Sequence, residues 1–355
     1  MAYRLERQPY VIVCGSLWVR CIINFERSSL LQGELETCPD HLIVNAPTAD
    51  LSSELEAQRL MAAQLSRLVR HPVFRKIGTK QCIDILNKVM GPYTLPASRF
   101  GDGAALHESW YQRVDIGLPI AEGARMREFF ASRRGHPDDE GRYYHPATDL
   151  AVAPHAIEIA TSDDMLALAG SYLGTRATLA SLTSWWTMIP ERLLDDQVFH
   201  RDNPDIRFCK LFIYLTDVEP EDGPHEFVLS SHNWDHIRLR LKEAGVTDPR
   251  ELQRATETFF TSLAPDVTPL VLNVLQKDIH TITGPAGTAF VEDTFAVHRA
   301  KPPAPGRSRL LYQALYTVNL DYGSYEPMTQ FRSIDSWKSR LPQTEMARYA
   351  VRHWL

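Results

Sequence analysis

Strand patterning dominates the second half of the chain. Over residues 208–216, Cys209, Leu211, Ile213 and Leu215 fall on one face of an extended strand, and Phe208, Lys210, Phe212, Tyr214 and Thr216 on the other, because side chains alternate with a period of two. An aliphatic face opposite one dotted with polar atoms predicts a barrel with a covered outside and a cavity within, although alternation alone fits a sheet with one face in water equally well. Residues 177–189, 287–295 and 309–318 share this aromatic and β-branched content, with turn signals such as Asp222-Gly223-Pro224 between them. Helical periodicity interrupts the strands at residues 233–244, and Asp248-Pro249-Arg250-Glu251 then announces a second helix with an N-cap and Pro at its first position.

Earlier in the chain, residues 119–134 predict a helix with Pro119 in its first turn and Gly135 beyond its end. Ser162-Asp163-Asp164 opens another that closes at Gly174. Further upstream the texture is mixed. Residues 11–13 and 19–25 are strand-like, and Ser53 with Glu56 makes a capping box for a helix carrying Leu55, Leu60, Leu65 and Leu68. A helix is expected over residues 80–90, stopped by Gly91-Pro92, and residues 94–103, with Pro96, Gly101 and Gly103, read as a boundary. The expected architecture is therefore α+β in three parts: an N-terminal mixed helical region (1–103) with no role assigned, an antiparallel barrel or sandwich with flanking helices (104–325) and a helical insertion at about 233–262, and a C-terminal helical tail (326–355).

Composition narrows the class without changing this picture. At 355 residues, 44% hydrophobic and 23% charged, the chain is neither fibrous nor disordered. Its formal charge of −6 gives no electrostatic reason to expect a nucleic-acid or membrane partner. The apolar stretch 11–25 is interrupted by Arg20 and falls short of the roughly 20 residues a membrane helix needs. No secretory pattern precedes it, so a cytoplasmic protein is expected. The five cysteines are odd in number and lack CxxC spacing, which suggests buried thiols rather than disulfides or a zinc site.

Candidate chemistry lies among the 13 histidines. His-x-Asp occurs at His136-Pro137-Asp138, inside a charged Pro/Gly segment read as a solvated loop, and at His200-Arg201-Asp202, between two strand-like segments. On an extended backbone, residues 200 and 202 project from one side and place an imidazole beside a carboxylate. His298, just after the strand-like run 287–295, is the best third member. Two histidines and a carboxylate on one face suit a non-haem iron with open positions opposite. His232 and His236 share helical spacing, but no glutamate has the HExxH placement, so capping or core roles are expected. His225 is placed either near the cavity mouth or on a solvated turn.

Taken together, Trp185-Trp186, His200-x-Asp202, Lys210-Leu211-Phe212-Ile213-Tyr214-Leu215-Thr216-Asp217-Val218, Asp222-Gly223-Pro224, Ser231-His232, His298 and Arg309 resemble the phytanoyl-CoA dioxygenase (PhyH-like) family of Fe(II)/2-oxoglutarate oxygenases, over about residues 110–320. The sequence departs from the family at Leu229-Ser230-Ser231-His232, where a Pro-Gly usually precedes Ser-His, and residues 1–103 have no counterpart. The resemblance implies a double-stranded β-helix (jelly-roll) core, Fe(II) held by His200, Asp202 and His298, and a basic residue gripping the distal carboxylate of 2-oxoglutarate. Family spacing puts that role on Arg309; Arg307 competes, but Gly306 beside it keeps it in a turn.

The reaction so implied consumes 2-oxoglutarate and O2, releases succinate and CO2, and hydroxylates a small-molecule substrate. Desaturation or cyclisation is available to the same centre. The Asp202 carboxylate argues against halogenation, since related halogenases lack it. Lys210 and Tyr214 are expected on the cosubstrate side of the cavity, and one of Trp185 and Trp186, which as strand neighbours cannot both face inward, beside substrate together with His225. A homo-oligomer is compatible with the helical insertion. Two alternatives are a cupin-like jelly-roll enzyme using a metal without 2-oxoglutarate, and a non-catalytic ligand-binding relative.

Overall fold

The structure is a computed structural model that describes residues 10–14, 17–21, 79–80, 83–84, 87, 93–117, 120–133, 136–137, 142–188, 197–202, 204–261, 267–318 and 331–355. The helix expected from the Ser53/Glu56 box, the Gly91-Pro92 stop, Gly135 and Asp138 lie outside these residues. Strands β1 (Tyr10–Cys14) and β2 (Leu17–Cys21) pair antiparallel. Then follow α1 (Ala104–Ser109), β3 (Tyr111–Val114), α2 (Ile120–Ser132), β4 (His136–Pro137), β5 (Arg142–Tyr144), α3 (Ala147–Val152), α4 (Ala156–Ala160), α5 (Asp163–Leu173), β6 (Thr178–Thr187), β7 (Phe208–Tyr214) and β8 (His225–Val228). The chain continues through α6 (Trp234–Glu243), α7 (Pro249–Thr261), α8 (Thr268–Val274), β9 (Ile279–Ile282), β10 (Ala289–Glu292), β11 (His298–Ala300), β12 (Arg309–Thr317) and α9 (Glu345–Ala350).

Two antiparallel sheets form the body. Seven strands run in the order β3-β10-β7-β12-β6-β5-β4, and three in the order β11-β8-β9. The alternation of β7 is resolved in favour of a covered strand, since all seven of its residues are buried. Cys209, Leu211 and Ile213 join Leu310, Tyr312 and Tyr316 of β12 in the core packed by α5, while Phe212 and Tyr214 join Trp185, Phe227, Ile282, Phe290 and Leu311 in a second cluster formed by residues of both sheets. Tyr312 and Tyr316 donate to the carbonyls of Ala156 (2.6 Å) and Ala160 (2.8 Å), fastening α4 to the outer face.

The capping signals act locally as their chemistry dictates. Ser162 accepts from the Met165 N–H, and Gly174 ends α5 in the left-handed region at φ 76°. Asn233 accepts from the Asp235 and His236 N–H groups at 2.9 and 3.1 Å. Asp248 accepts from Arg250 and Glu251 at 3.0 and 2.8 Å. The insertion carries a third helix that the expected span missed, α8, whose Val271 shares a core cluster with Ile237, Leu241, Leu252, Phe259 and Phe260 of α6 and α7. Its β-branched, Pro-containing segment gives no helical signal alone.

One further expectation is corrected. His136 and Pro137 are not a loop: they pair with Tyr144 and Tyr143 as an edge strand, the place where a sheet tolerates proline. The stretch read as a boundary is bonded to the body of the protein. Ser98 donates to the Asp164 carbonyl at 2.7 Å, Gln112 donates to the Phe100 carbonyl at 2.5 Å, and helical Ile83 is buried in the main core. Near the C-terminus, Phe331, Trp337 and Trp354 belong to that same core.

Candidate metal centre

His200 and Asp202 sit just before β7, and His298 begins β11. A two-way backbone bridge joins the two segments: His200 N–H donates to the His298 carbonyl and the reverse, both at 3.0 Å, while Asp202 N–H donates to the Thr294 carbonyl at 2.9 Å. The bridge holds the histidine rings with centroids 4.2 Å apart. His298 Nε2 lies 3.3 Å from Asp202 Oδ2, and His200 Nε2 lies 3.8 Å from Asp202 Oδ1. One ligating atom from each residue lies within 4.8 Å of the others, and this is the one such His/Cys/Asp/Glu group among the described residues.

The second ring nitrogens are spoken for. His200 Nδ1 is 2.9 Å from the Val198 carbonyl and His298 Nδ1 is 2.9 Å from the Ala296 carbonyl. A carbonyl accepts only, so each Nδ1 carries the proton and each Nε2 presents its lone pair inward, the arrangement that readies a histidine for a metal. Burial, with His298 beside it, pushes His200 down to about 3, so the ring is neutral at ordinary pH. For Asp202, burial alone would raise the carboxyl, but Lys210 and then His298 outweigh it and hold it well below the usual range. For His298, burial works downward and the Asp202 carboxylate overcomes it, leaving the imidazole raised. Two imidazole nitrogens and one ionised oxygen form a donor set that fits a divalent transition metal.

Around this centre, Lys210 is buried with Nζ 2.5 Å from Asp202 Oδ2. His225 is no solvated turn residue: it begins β8, is 6% exposed, and stacks on His298 at a centroid distance of 5.4 Å. Its Nε2 is 2.6 Å from Glu292 Oε2, and Glu292 is fully buried. No motif marks Glu292; its signal in the sequence is alternation within Ala289-Phe290-Val291-Glu292, which puts a carboxylate on the face of Phe290. Tyr214 spends its hydroxyl on architecture, donating to the Ile282 carbonyl at 2.9 Å and accepting from the His225 N–H at 3.0 Å.

Alternation separates Trp185 from Trp186. Trp185 lies in the inner cluster beside Tyr144, and Trp186 packs against the outer core. Arg309 is 1% exposed, shares the inward side of β12 with Leu311, donates to the Gly223 carbonyl and hydrogen-bonds the Tyr214 hydroxyl. Arg307 instead lies on the turn, half-exposed, and closes a two-point pair with Asp222 at 2.8 and 3.2 Å. His232 and His236 do not converge: His232 stacks on Trp110 at 4.0 Å, and His236 Nε2 lies 3.4 Å from Asp278 Oδ2.

No family model and no curated protein matches the chain. Among solved structures it is similar to SnoN, a non-heme alpha-ketoglutarate-dependent epimerase from nogalamycin biosynthesis, at 20% identity and TM-score 0.41, covering 60% of this chain and 80% of that one. The carbocyclase SnoK of the same biosynthesis gives 18% and 0.39 over 64% and 86%. EctD from S. alaskensis, solved with 2-oxoglutarate and 5-hydroxyectoine, gives 14% and 0.42 over 65% and 80%. Likeness of this degree does not decide chemistry, which rests on the side chains themselves. Among the described residues, no helix is long and apolar enough to cross a membrane.

Proposed function

We propose that this protein is an Fe(II)- and 2-oxoglutarate-dependent oxygenase of the PhyH-like type, with a jelly-roll core, acting on a small molecule. One observation carries the reading: two histidines and an aspartate converge within 4.8 Å with both Nδ1 atoms held by carbonyls. His200, Asp202 and His298 would hold the iron. When bound, iron would activate O2, the oxidant, with 2-oxoglutarate supplying two electrons as it becomes succinate and CO2 and the substrate supplying the other two. Arg309 would take the distal carboxylate of 2-oxoglutarate, since a guanidinium matches a carboxylate with two parallel donors. The aromatic side chains of the inner cluster keep water from the reacting face and shape the substrate space beside Trp185. Asp202 fills the carboxylate position, which favours hydroxylation; a related hydrogen abstraction ending in desaturation or ring closure is the neighbouring outcome.

The test is anaerobic titration of the protein with Fe(II) and 2-oxoglutarate, read by the visible charge-transfer band of a metal-chelated 2-oxo acid, followed by succinate release across a metabolite library in air. His200→Ala should abolish both the band and turnover. Iron binding and 2-oxoglutarate decarboxylation at wild-type levels in that variant would refute the assignment. Metal-dependent turnover without 2-oxoglutarate consumption would point to cupin-like chemistry.

A further inference from the structure

The helices between β8 and β9 are built into the metal centre from behind. Strand alternation puts His200 and Asp202 on one side of their segment and Phe199 and Arg201 on the other. Phe199 is fully buried in the cluster made by α6, α7 and α8, and so is Val297, the residue before His298. Val228 of β8 joins them, its N–H donating to the Val297 carbonyl at 2.8 Å. Each ligating histidine is thus preceded by an apolar side chain anchored in the insertion.

Arg201, between the two ligands of the His-x-Asp segment, makes the tightest connection. It is 9% exposed and its fork spans two segments, Nη1 donating to the Phe295 carbonyl at 2.6 Å and Nη2 to the Ser231 carbonyl at 2.9 Å. Its guanidinium lies 4.7, 5.1 and 5.3 Å from the ring centres of Phe259, Phe260 and Phe295, within cation–π range. Ser231 Oγ accepts from the Val297 N–H at 2.8 Å, and Thr268 Oγ1 of α8 accepts from the Phe199 N–H at 3.0 Å. The rear of the site is therefore tied by hydrogen bonds that run from the His-x-Asp segment through Arg201 and Ser231 to the His298 segment, with α8 bonded to Phe199 through Thr268 and α7 in ring contact with Arg201 through Phe259 and Phe260.

We propose that Arg201 is a positioning residue, clamped by Phe259 and Phe260, through which the helical insertion sets the relative placement of His200, Asp202 and His298; the insertion acts as a buttress and not as a lid. This rests on the metal-centre reading above. Arg201 lies on the opposite side of its segment from His200 and Asp202, so it would act through its neighbours. Its planar fork is what fits, because a lysine ammonium cannot satisfy two carbonyls and lie over three rings at once.

The experiment is Co(II) titration of the full chain, read by the visible d–d absorption, which reports both affinity and coordination geometry. Outer-sphere partners of metal ligands typically contribute about ten- to a hundredfold in affinity. Arg201→Lys should weaken Co(II) binding by that factor and alter the band shape while far-UV circular dichroism stays unchanged. Phe259→Leu, a milder change, should weaken it less, and should add little in the Arg201→Lys background because both remove one contact. Leu239→Ser, on an exposed part of α6, should change neither readout. If Arg201→Lys does not fold, Phe259→Leu carries the test. Affinity within about twofold of wild type and an unchanged spectrum in both variants, even with a lowered melting temperature, would overturn the proposal. A wild-type protein that binds no Co(II) would sink the metal-centre reading first and the positioning role with it.

Discussion

Asp202 illustrates how one side chain serves two partners. Its carboxylate must be ionised to ligate, and Lys210 at 2.5 Å is the largest influence keeping it so against burial. If the proposed centre holds a metal, the acid limit of its binding belongs to His298, whose raised pKa means that falling pH protonates it before Asp202, and a protonated imidazole does not bind metal. Lys210→Met removes the charge that favours ionised Asp202 and disfavours protonated His298. Both pKa values then move up, so metal binding should be lost at a higher pH than in the wild type; metal affinity measured across pH checks this, and an unmoved acid limb would contradict it. The two arginines separate in the same way. Arg309→Ala should weaken 2-oxoglutarate binding by about 2–5 kcal/mol, roughly thirtyfold to several thousandfold, while Arg307→Ala, which loses a pair with Asp222 on the half-exposed turn, should leave it near wild type. The reverse order in a binding titration would transfer the role to Arg307.

At the scale of elements, local chemistry and packing contribute separately. Asp248 caps α7 by accepting two of its first N–H groups; Asp248→Ala should cost about 1 kcal/mol in urea unfolding. Tyr214 shows the other kind of constraint. From β7 its hydroxyl reaches the backbones of β8 and β9, so it ties the large sheet to the small one. Tyr214→Phe leaves a buried N–H and a buried carbonyl without that partner and should cost about 1–3 kcal/mol, measured by the same unfolding. Motif and alternation put Tyr214 on the inward face, but they carry no information on what its hydroxyl meets, because β8 and β9 approach from 11 and 68 residues away. Helices announced by caps were legible for the same reason that they form: their signals act within a few residues. Helix α8 and strands β8, β9 and β11 are short, and tertiary partners define them.

For the whole molecule, the C-terminal segment is part of the main core. Trp337 donates to the Phe331 carbonyl at 3.0 Å and meets Trp354 edge-on at 5.6 Å, all three rings being fully buried. Trp337→Ala should destabilise the protein by about 3–5 kcal/mol, read by chemical denaturation, and a variant as stable as wild type would show the segment to be dispensable. What the sequence determined alone was whatever alternation, caps and a short motif encode within a dozen residues, namely the two faces of β7, the ends of α5 and α6, the start of α7 and the pairing of His200 with Asp202; the family resemblance reached further, naming His298 and Arg309 as candidates. What only the tertiary structure decided was everything assembled across long separations. It brought His298 to His200 by a backbone bridge 98 residues apart, set His225 against Glu292 across 67, and placed α7 behind the His200–Asp202 segment through Arg201. Sequence pattern reports a residue's preferred surroundings, whereas the identity of its neighbour depends on how two sheets and an insertion pack, which is a property of the whole chain.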